Sequence, residues 1–236
     1  MSESVSVRTV ALLLAAGSGS RLGGRPKAFL EVAGEPLFLH SLRSLVACSM
    51  VHGVVMMVPE GSAGAAERSE EALHLAPGFL TARVGGVSRQ DSVRLGLAAV
   101  PAETEAIVCH DAARPFASAD LFRRVLAGLQ SADGIVPLIP TPDTVKRVRE
   151  GRIIETIPRN EIGLAQTPQA FRARALKRAH ELASRSGLDG TDDAVLLESA
   201  GYRVVAVEGE PDNFKVTTPE DLLRAEAILA ARHGAR

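Results

Sequence analysis

The sequence has no surplus of charge of either sign, almost no cysteine, and no apolar run long enough to cross a membrane. Lys and Arg number 27 against 28 Asp and Glu. Nucleic-acid binding needs a basic surplus to neutralise phosphates, so this balance argues against a nucleic-acid partner while leaving room for a local basic pocket. The two cysteines, Cys48 and Cys109, lie in the apolar stretches VACSM and AIVCHDAA. Isolated thiols in such surroundings are expected as buried side chains, not as a disulfide or metal ligands, and they fit a cytoplasmic protein. The apolar run that closes on Gly17 is too short for a membrane span, and it lacks the charge-then-apolar layout of a signal peptide. Internal repeats and low-complexity linkers are also missing.

What remains is an ordinary globular composition, 46% hydrophobic and 23% charged over 236 residues. That length suits one domain, residues 1–236, with an excursion. Short apolar runs at Thr9–Leu14, Val51–Val58, Thr81–Val84, Ala106–His110, Gly134–Pro137 and Tyr202–Val207 are expected as strands. Between and after them, the spacing predicts helices over Pro36–Cys48, Ala63–His74, Ser92–Val100, Ala119–Leu129, Arg172–Arg185 and Asp192–Ala200. A last helix opens at Thr218-Pro219-Glu220-Asp221, with Thr as cap, Pro in the first helical position and an acid at the third. This alternation specifies an α/β fold: a mostly parallel, twisted sheet with helices on both faces. The rhythm breaks at about 141–162. There Thr144–Val148 and Ile153–Thr156 flank Glu150-Gly151-Arg152, which reads as a protruding β-hairpin arm with too little apolar surface for a core of its own.

The most informative stretch is Ala15-Ala16-Gly17-Ser18-Gly19-Ser20-Arg21-Leu22-Gly23, closing on Arg25-Pro26-Lys27. Following a strand, its glycines let backbone amides approach phosphate oxygens. A dinucleotide fingerprint would need glycine where Leu22 stands, and a P-loop would need Gly-Lys-Ser or Gly-Lys-Thr. Two cations on one glycine loop, Arg21 and Lys27, suit a triphosphate whose leaving pyrophosphate gains charge. A second site element is His110-Asp111-Ala112-Ala113-Arg114-Pro115, just past a strand, at the sheet edge where ligands of α/β folds collect. Asp111 there either caps the next helix or ligates Mg²⁺, which takes one or two carboxylates plus phosphate oxygens. Arg114 is placed to keep Asp111 ionised, and His110 is expected to pack or hydrogen-bond.

The loop AAGSGSRLGGRPK, then GGVSRQDSV, HDAARP, PDTVKRV, PRN, QTPQAF, GTDDA and DNFKVTTPEDL occur in the order of one family. With them the chain resembles the 2-C-methyl-D-erythritol 4-phosphate cytidylyltransferases of the non-mevalonate isoprenoid pathway, over about Val10 to Leu223. The resemblance implies a nucleotidyltransferase-like, Rossmann-related fold. It implies the joining of CTP to a polyol phosphate with Mg²⁺ or another divalent cation, and a homodimer formed through the hairpin arm. Arg21 and Lys27 would contact the triphosphate. Backbone at Ala15, Ala16, Gly17, Gly19 and Gly86, with Ser92, would hold the nucleotide, Arg89 would support that loop, and Asp111 beside Arg114 would take the metal. Thr144, Arg159, Thr167, Thr191 and Lys215 would hold the polyol phosphate, with Arg159 and Lys215 placing its phosphate for attack.

Thr191-Asp192-Asp193 is equally a helix start with acids in the first turn. Two positions depart from the family's pattern. Gly163 stands where tryptophan is frequent. Val87 stands where a polar residue is frequent, so only backbone-mediated base recognition is implied at that loop. A ribitol-5-phosphate cytidylyltransferase shares most of these motifs, and a nucleotide-binding regulator without turnover would share the fold. The chain ends soon after the last predicted helix, and a fused cyclase domain is not expected.

Overall fold

The computed structural model describes residues 8–17, 19, 26–64 and 79–234. In chain order the first half comprises β1 (Thr9–Leu14), β2 (Glu31–Val32), β3 (Glu35–Pro36), α1 (Leu37–Val46), β4 (Gly53–Val58), β5 (Phe79–Val84), α2 (Arg89–Ala99), β6 (Ala106–Asp111) and α3 (Ala119–Gly128). The second half comprises β7 (Gly134–Pro140), β8 (Val145–Arg149), β9 (Arg152–Ile157), β10 (Gly163–Ala165), β11 (Gln169–Arg172), α4 (Ala173–Ser186), α5 (Asp193–Ser199), β12 (Val204–Glu208) and α6 (Pro219–Gly234). Most of the helix expected over Ala63–His74 lies outside the described residues, as does Arg21.

Strands β5, β4, β1 and β6 run parallel, side by side. Beyond β6 the sheet turns mixed: β11 is antiparallel to both β6 and β7, and β12 is parallel to β7. The apolar run of β1 is continuous because both its faces are covered. Val10 and Leu12 join one core with α2, α4 and α5, while Ala11 and Leu13 join another with α1 and α3. Side chains that alternate across a strand thereby feed two layers. A third, smaller cluster seats α6, where Ala225 and Leu229 meet Val32, Leu37 and Val216.

Helix starts follow local chemistry. The Thr218 hydroxyl accepts from the Asp221 amide at 3.2 Å, and the Asp221 carboxylate accepts from the Thr217 and Thr218 amides at 2.8 and 2.9 Å, a reciprocal cap. At α5 the cap is Asp192, not Thr191: the Asp192 carboxylate accepts from the Val195 amide at 3.1 Å. A carboxylate also complements the positive end of the helix, and this shift makes Asp193 the first, buried, helical residue.

Two features escaped the sequence pattern because they are too short to show a period. The pair β2 and β3 is two residues per strand. The antiparallel segments β10 and β11 lie along β7 with a slipped register, Ala165 opposite Leu138 but Ala170 opposite Ile135. Gln166, Thr167 and Pro168 fall in that slip, next to the end of β6. The arm is present as expected. Strands β8 and β9 are joined through Glu150 and Gly151, both at positive φ (49° and 77°), as a two-residue hairpin turn requires. Val148, Ile153 and Ile154 on it are each more than half exposed.

Candidate active site

The cleft forms where β1, β5 and β6 end. After β1 the chain continues through Ala15 to Gly17, pinned by the Ala15 amide to the Met57 carbonyl at 2.8 Å. After β5, Gly85 and Gly86 lead into α2, capped by the Ser88 side chain on the Asp91 amide. Both glycines are required by contact. A Cβ on Gly85 would stand 2.3 Å from that of Ala16, and one on Gly86 would stand 2.3 Å from that of Asp91 and 2.9 Å from its backbone carbonyl carbon. Ser92, buried in the first turns of α2, accepts from the Gly86 amide at 3.0 Å and donates to the Ser88 carbonyl at 2.9 Å, which fixes this loop. Lys27 closes the first loop, its amide donating to the Gly17 carbonyl at 3.3 Å. Between the two loops lies a cleft of about 530 Å³, lined among others by Gly19, Lys27, Arg89, Asp111 and Lys215.

Asp111 ends β6 on the cleft floor, 7% exposed. Its Oδ2 accepts from Lys215 Nζ at 2.7 Å, its Oδ1 from Arg89 Nε at 3.4 Å, and Arg114 Nε stands 4.0 Å away. Burial alone would push its carboxyl up. Lys215 and Arg89 outweigh that and hold it far below the usual carboxylate range. Unit charges about 4 Å apart near a protein surface attract by about 4 kcal/mol, so several such partners can exceed the desolvation cost. Arg89 also donates through Nη1 to Asp193 Oδ2 at 2.8 Å. Burial works against the Arg89 charge, but the two carboxylates leave it more firmly protonated than an ordinary arginine. Three cations around two anions leave the floor net positive, before Lys27 is counted.

Behind Asp111, hydrogen bonds lock its backbone. The Asp111 amide donates to Thr167 Oγ1 at 2.9 Å, Thr167 Oγ1 stands 3.1 Å from His110 Nδ1, and His110 Nε2 stands 3.2 Å from the Arg114 carbonyl. The carbonyl can only accept, so Nε2 carries the proton and Nδ1 accepts from the Thr167 hydroxyl. Burial pushes the fully enclosed His110 ring down to about 4, only partly opposed by Asp111, so the ring is neutral at pH 7. The Asn213 amide donates to the Thr167 carbonyl at 2.8 Å, and Arg114 Nη1 donates to the Asn213 carbonyl at 2.8 Å.

The structure therefore gathers Ala15, Ala16, Gly17, Gly19, Lys27, Gly86, Arg89, Ser92, Asp111 and Lys215 on one cleft. It does not bring every expected residue there. Thr167 and Arg114 stand behind Asp111 as buttresses. Thr144 is exposed at the foot of the arm, Thr191 is exposed before α5, and Arg159, among the described residues, donates to the Pro142 carbonyl at 3.4 Å. A Cβ at Gly163 would stand 2.6 Å from Leu138 Cδ1 and 2.8 Å from its Cβ, so a tryptophan there would require Leu138 to shift. Val87 is fully exposed at the cleft mouth. Sequence reasoning gave Asp193 only the role of a first-turn acid and gave His180 and Asn213 none. GTDDA marks the first and DNFKV the third, but nothing in an amphipathic helix marks His180.

The sequence family described as "IspD: 2-C-methyl-D-erythritol 4-phosphate cytidylyltransferase" matches residues 9–231. The chain is 42% identical over 227 residues to the 2-C-methyl-D-erythritol 4-phosphate cytidylyltransferase of Chromobacterium violaceum, covering 94% of this chain and 98% of that protein. It is also 42% identical over 228 residues to the bifunctional enzyme IspD/IspF of Anaeromyxobacter dehalogenans, covering 95% of this chain and 58% of that one. The chain thus spans a little over half the length of such bifunctional relatives. Among solved structures, the 4-diphosphocytidyl-2C-methyl-D-erythritol synthase of Anaerococcus prevotii superimposes with a TM-score of 0.86 at 27% identity, covering 95% of this chain and 97% of the other.

The neutral His110 has a measurable consequence. Its folded-state value of about 4 lies below the ordinary 6.5. The fold therefore keeps this contribution fully above pH 6.5 and loses it as pH falls toward 4, by up to about 3 kcal/mol. His110→Asn keeps an acceptor for Thr167 but cannot titrate. Urea unfolding of both proteins at pH 7 and pH 4 is expected to show wild type losing more stability over that interval. Parallel losses would contradict the neutral, buried ring.

Proposed function

The chain belongs to the 2-C-methyl-D-erythritol 4-phosphate cytidylyltransferase family, and on that premise we propose that it converts CTP and 2-C-methyl-D-erythritol 4-phosphate to 4-diphosphocytidyl-2-C-methyl-D-erythritol and pyrophosphate. The observation that carries this reading is the net positive cleft, in which glycine loops and Lys27, Arg89 and Lys215 surround an ionised Asp111. A triphosphate is the ligand such a cleft suits, and its cytidine would lie along Ala15, Ala16, Gly86 and Ser92. An oxygen of the polyol phosphate attacks the α-phosphorus in line. The new P–O bond forms as the bond from the α-phosphorus to the bridging oxygen breaks, and pyrophosphate leaves with the electron pair. No base is needed, because a phosphate monoester is already ionised near pH 7. Lys27, Arg21 and loop amides stabilise charge on the departing group, while Lys215 aligns the attacking phosphate.

Asp111 fits a divalent cation. It is an ionised carboxylate on the cleft floor, and Mg²⁺ is content with one such ligand plus phosphate oxygens and water. Among the described residues no cluster of three or more His, Cys, Asp or Glu is placed to hold a metal ion by itself, so substrate oxygens would complete the set. When bound, the cation would neutralise phosphate charge. Lys215 Nζ, partly exposed and 2.7 Å from Asp111, would then be released toward the incoming phosphate. Among the described residues no helix is long and apolar enough to cross a membrane, and a biosynthetic role of this kind suits the cytoplasm.

The arm would account for Thr144 and Arg159, which do not reach this cleft. Thr144 and Arg159 sit at its foot, and its exposed Val148, Ile153 and Ile154 would be covered by a second copy of the chain. In that homodimer each arm carries Arg159 to the partner's site.

Pyrophosphate release measured with CTP and either methylerythritol phosphate or ribitol phosphate tests the reaction. Turnover is expected with the first polyol phosphate, and turnover with ribitol phosphate alone would overturn the substrate assignment. The arm is tested by refolding Lys27→Ala and Arg159→Ala together. Mixed dimers of a crossed-arm assembly hold one site with both lesions and one with neither, so about one quarter of all sites should recover. A mixture as inactive as its parents, with mixed dimers verified by mass spectrometry, would rule the crossing out.

A further inference from the structure

Asp193 has no part in the reaction above, yet it is 1% exposed and holds the guanidinium that reaches the cleft. Its Oδ2 takes Arg89 Nη1 at 2.8 Å, and its Oδ1 lies 3.0 Å from His180 Nε2. Arg89 comes from α2, His180 from α4 and Asp193 from α5, the three helices that share one face of the sheet. From Asp193, Arg89 extends Nε to Asp111, while its Nη2 is buried without a hydrogen-bond partner among the described residues. The guanidinium thus bridges a buried carboxylate and the cleft carboxylate.

A guanidinium facing a bare carboxylate prefers two parallel hydrogen bonds, one to each oxygen. Asp193 is not gripped in that way: Arg89 reaches it through Nη1 and Oδ2 alone, while Oδ1 takes His180 Nε2, which fixes the plane of the carboxylate. His180 itself is 3% exposed, on the floor of a groove of about 400 Å³ between α2 and α4. Its Nδ1 has no partner among the described residues, so its one hydrogen bond is the one to Asp193. We propose that His180 is a positioning residue for nucleotide binding: by holding Asp193 Oδ1 it fixes the orientation of that carboxylate, so that Arg89 meets Oδ2 alone and stays extended to Asp111 and the cleft. This rests on the assignment of the cleft to CTP.

The replacements that separate this role from packing are His180→Leu and His180→Gln. Leucine fills the space without a donor. Glutamine carries an amide at about the reach of Nε2 and can still donate to Asp193. With leucine, Arg89 is expected to turn both nitrogens onto Asp193, and KM for CTP should rise about tenfold or more, as for loss of a hydrogen bond to a charged group. KM for the polyol phosphate should stay within about twofold, and the glutamine variant should remain near wild type in both. A purely structural role would lower the melting temperature of both variants and leave the constants per folded molecule unchanged. That pattern overturns the proposal, as does a glutamine variant as impaired as leucine or an equal rise in both KM values. If the leucine protein does not fold, His180→Asn serves instead, since its amide stops at the position of Nδ1 and should show the same CTP defect. Calorimetric titration with CTP alone reads the same effect without turnover. A wild-type protein that binds CTP but releases no pyrophosphate would therefore count against the functional reading and leave the test of His180 intact.

Discussion

A carboxylate taken out of water stays charged only if other groups replace its hydration, and Asp111 meets that condition with cations drawn from three parts of the chain. Arg89 enters from α2, Arg114 from the turn after β6, and Lys215 from the segment between β12 and α6. None of these contacts is local except the one to Arg114. The sheet order is what brings them together, because β6 lies in the middle of the sheet and delivers Asp111 to an edge flanked by the loops of its neighbours. Desolvation of an ion is worth several kcal/mol, so the buried carboxylate depends on these cations to stay charged. Lys215 is partly exposed and the cations outnumber the anions, so loss of one charge falls on the site before it falls on the fold.

The same floor explains why the surrounding loops are built as they are. A ligand with several negative charges needs amides and cations at close range, and side chains on Gly85 or Gly86 would displace the backbone that supplies the amides. Ser92 and Ser88 hold that loop by their hydroxyls, while Thr167 and the neutral His110 do so behind Asp111. These groups carry no charge, so they fix positions without altering the electrostatic balance.

Much of this was legible in the sequence. The strand–helix alternation gave the parallel core, since apolar runs such as Thr9–Leu14 can be buried on both faces only in such a sheet. The turn residues Glu150 and Gly151 located the arm, and the ordered motifs named the cleft residues from Ala15 to Lys215. The rest depended on long-range contact. Thr167 was expected at the polyol phosphate; in the fold its hydroxyl lies at the register slip between β10 and β11, hydrogen-bonded to the Asp111 amide and His110. Thr191-Asp192-Asp193 marked a helix start, and the cap falls on Asp192, whose carboxylate accepts from the Val195 amide. His180 and Asp193 stand thirteen positions apart on different helices, and no local period signals that they meet.

The central claim is that a single ionised carboxylate, Asp111, organises the reacting cleft. Its most direct test is kcat for Asp111→Asn, with both substrates saturating and Mg²⁺ in excess, because the amide keeps the shape and removes only the charge. The account predicts a folded protein whose turnover falls by about a hundredfold or more, comparable to loss of a principal electrostatic group in an active site. A variant within a few-fold of wild type would contradict it, and would place the organising charge of the cleft elsewhere.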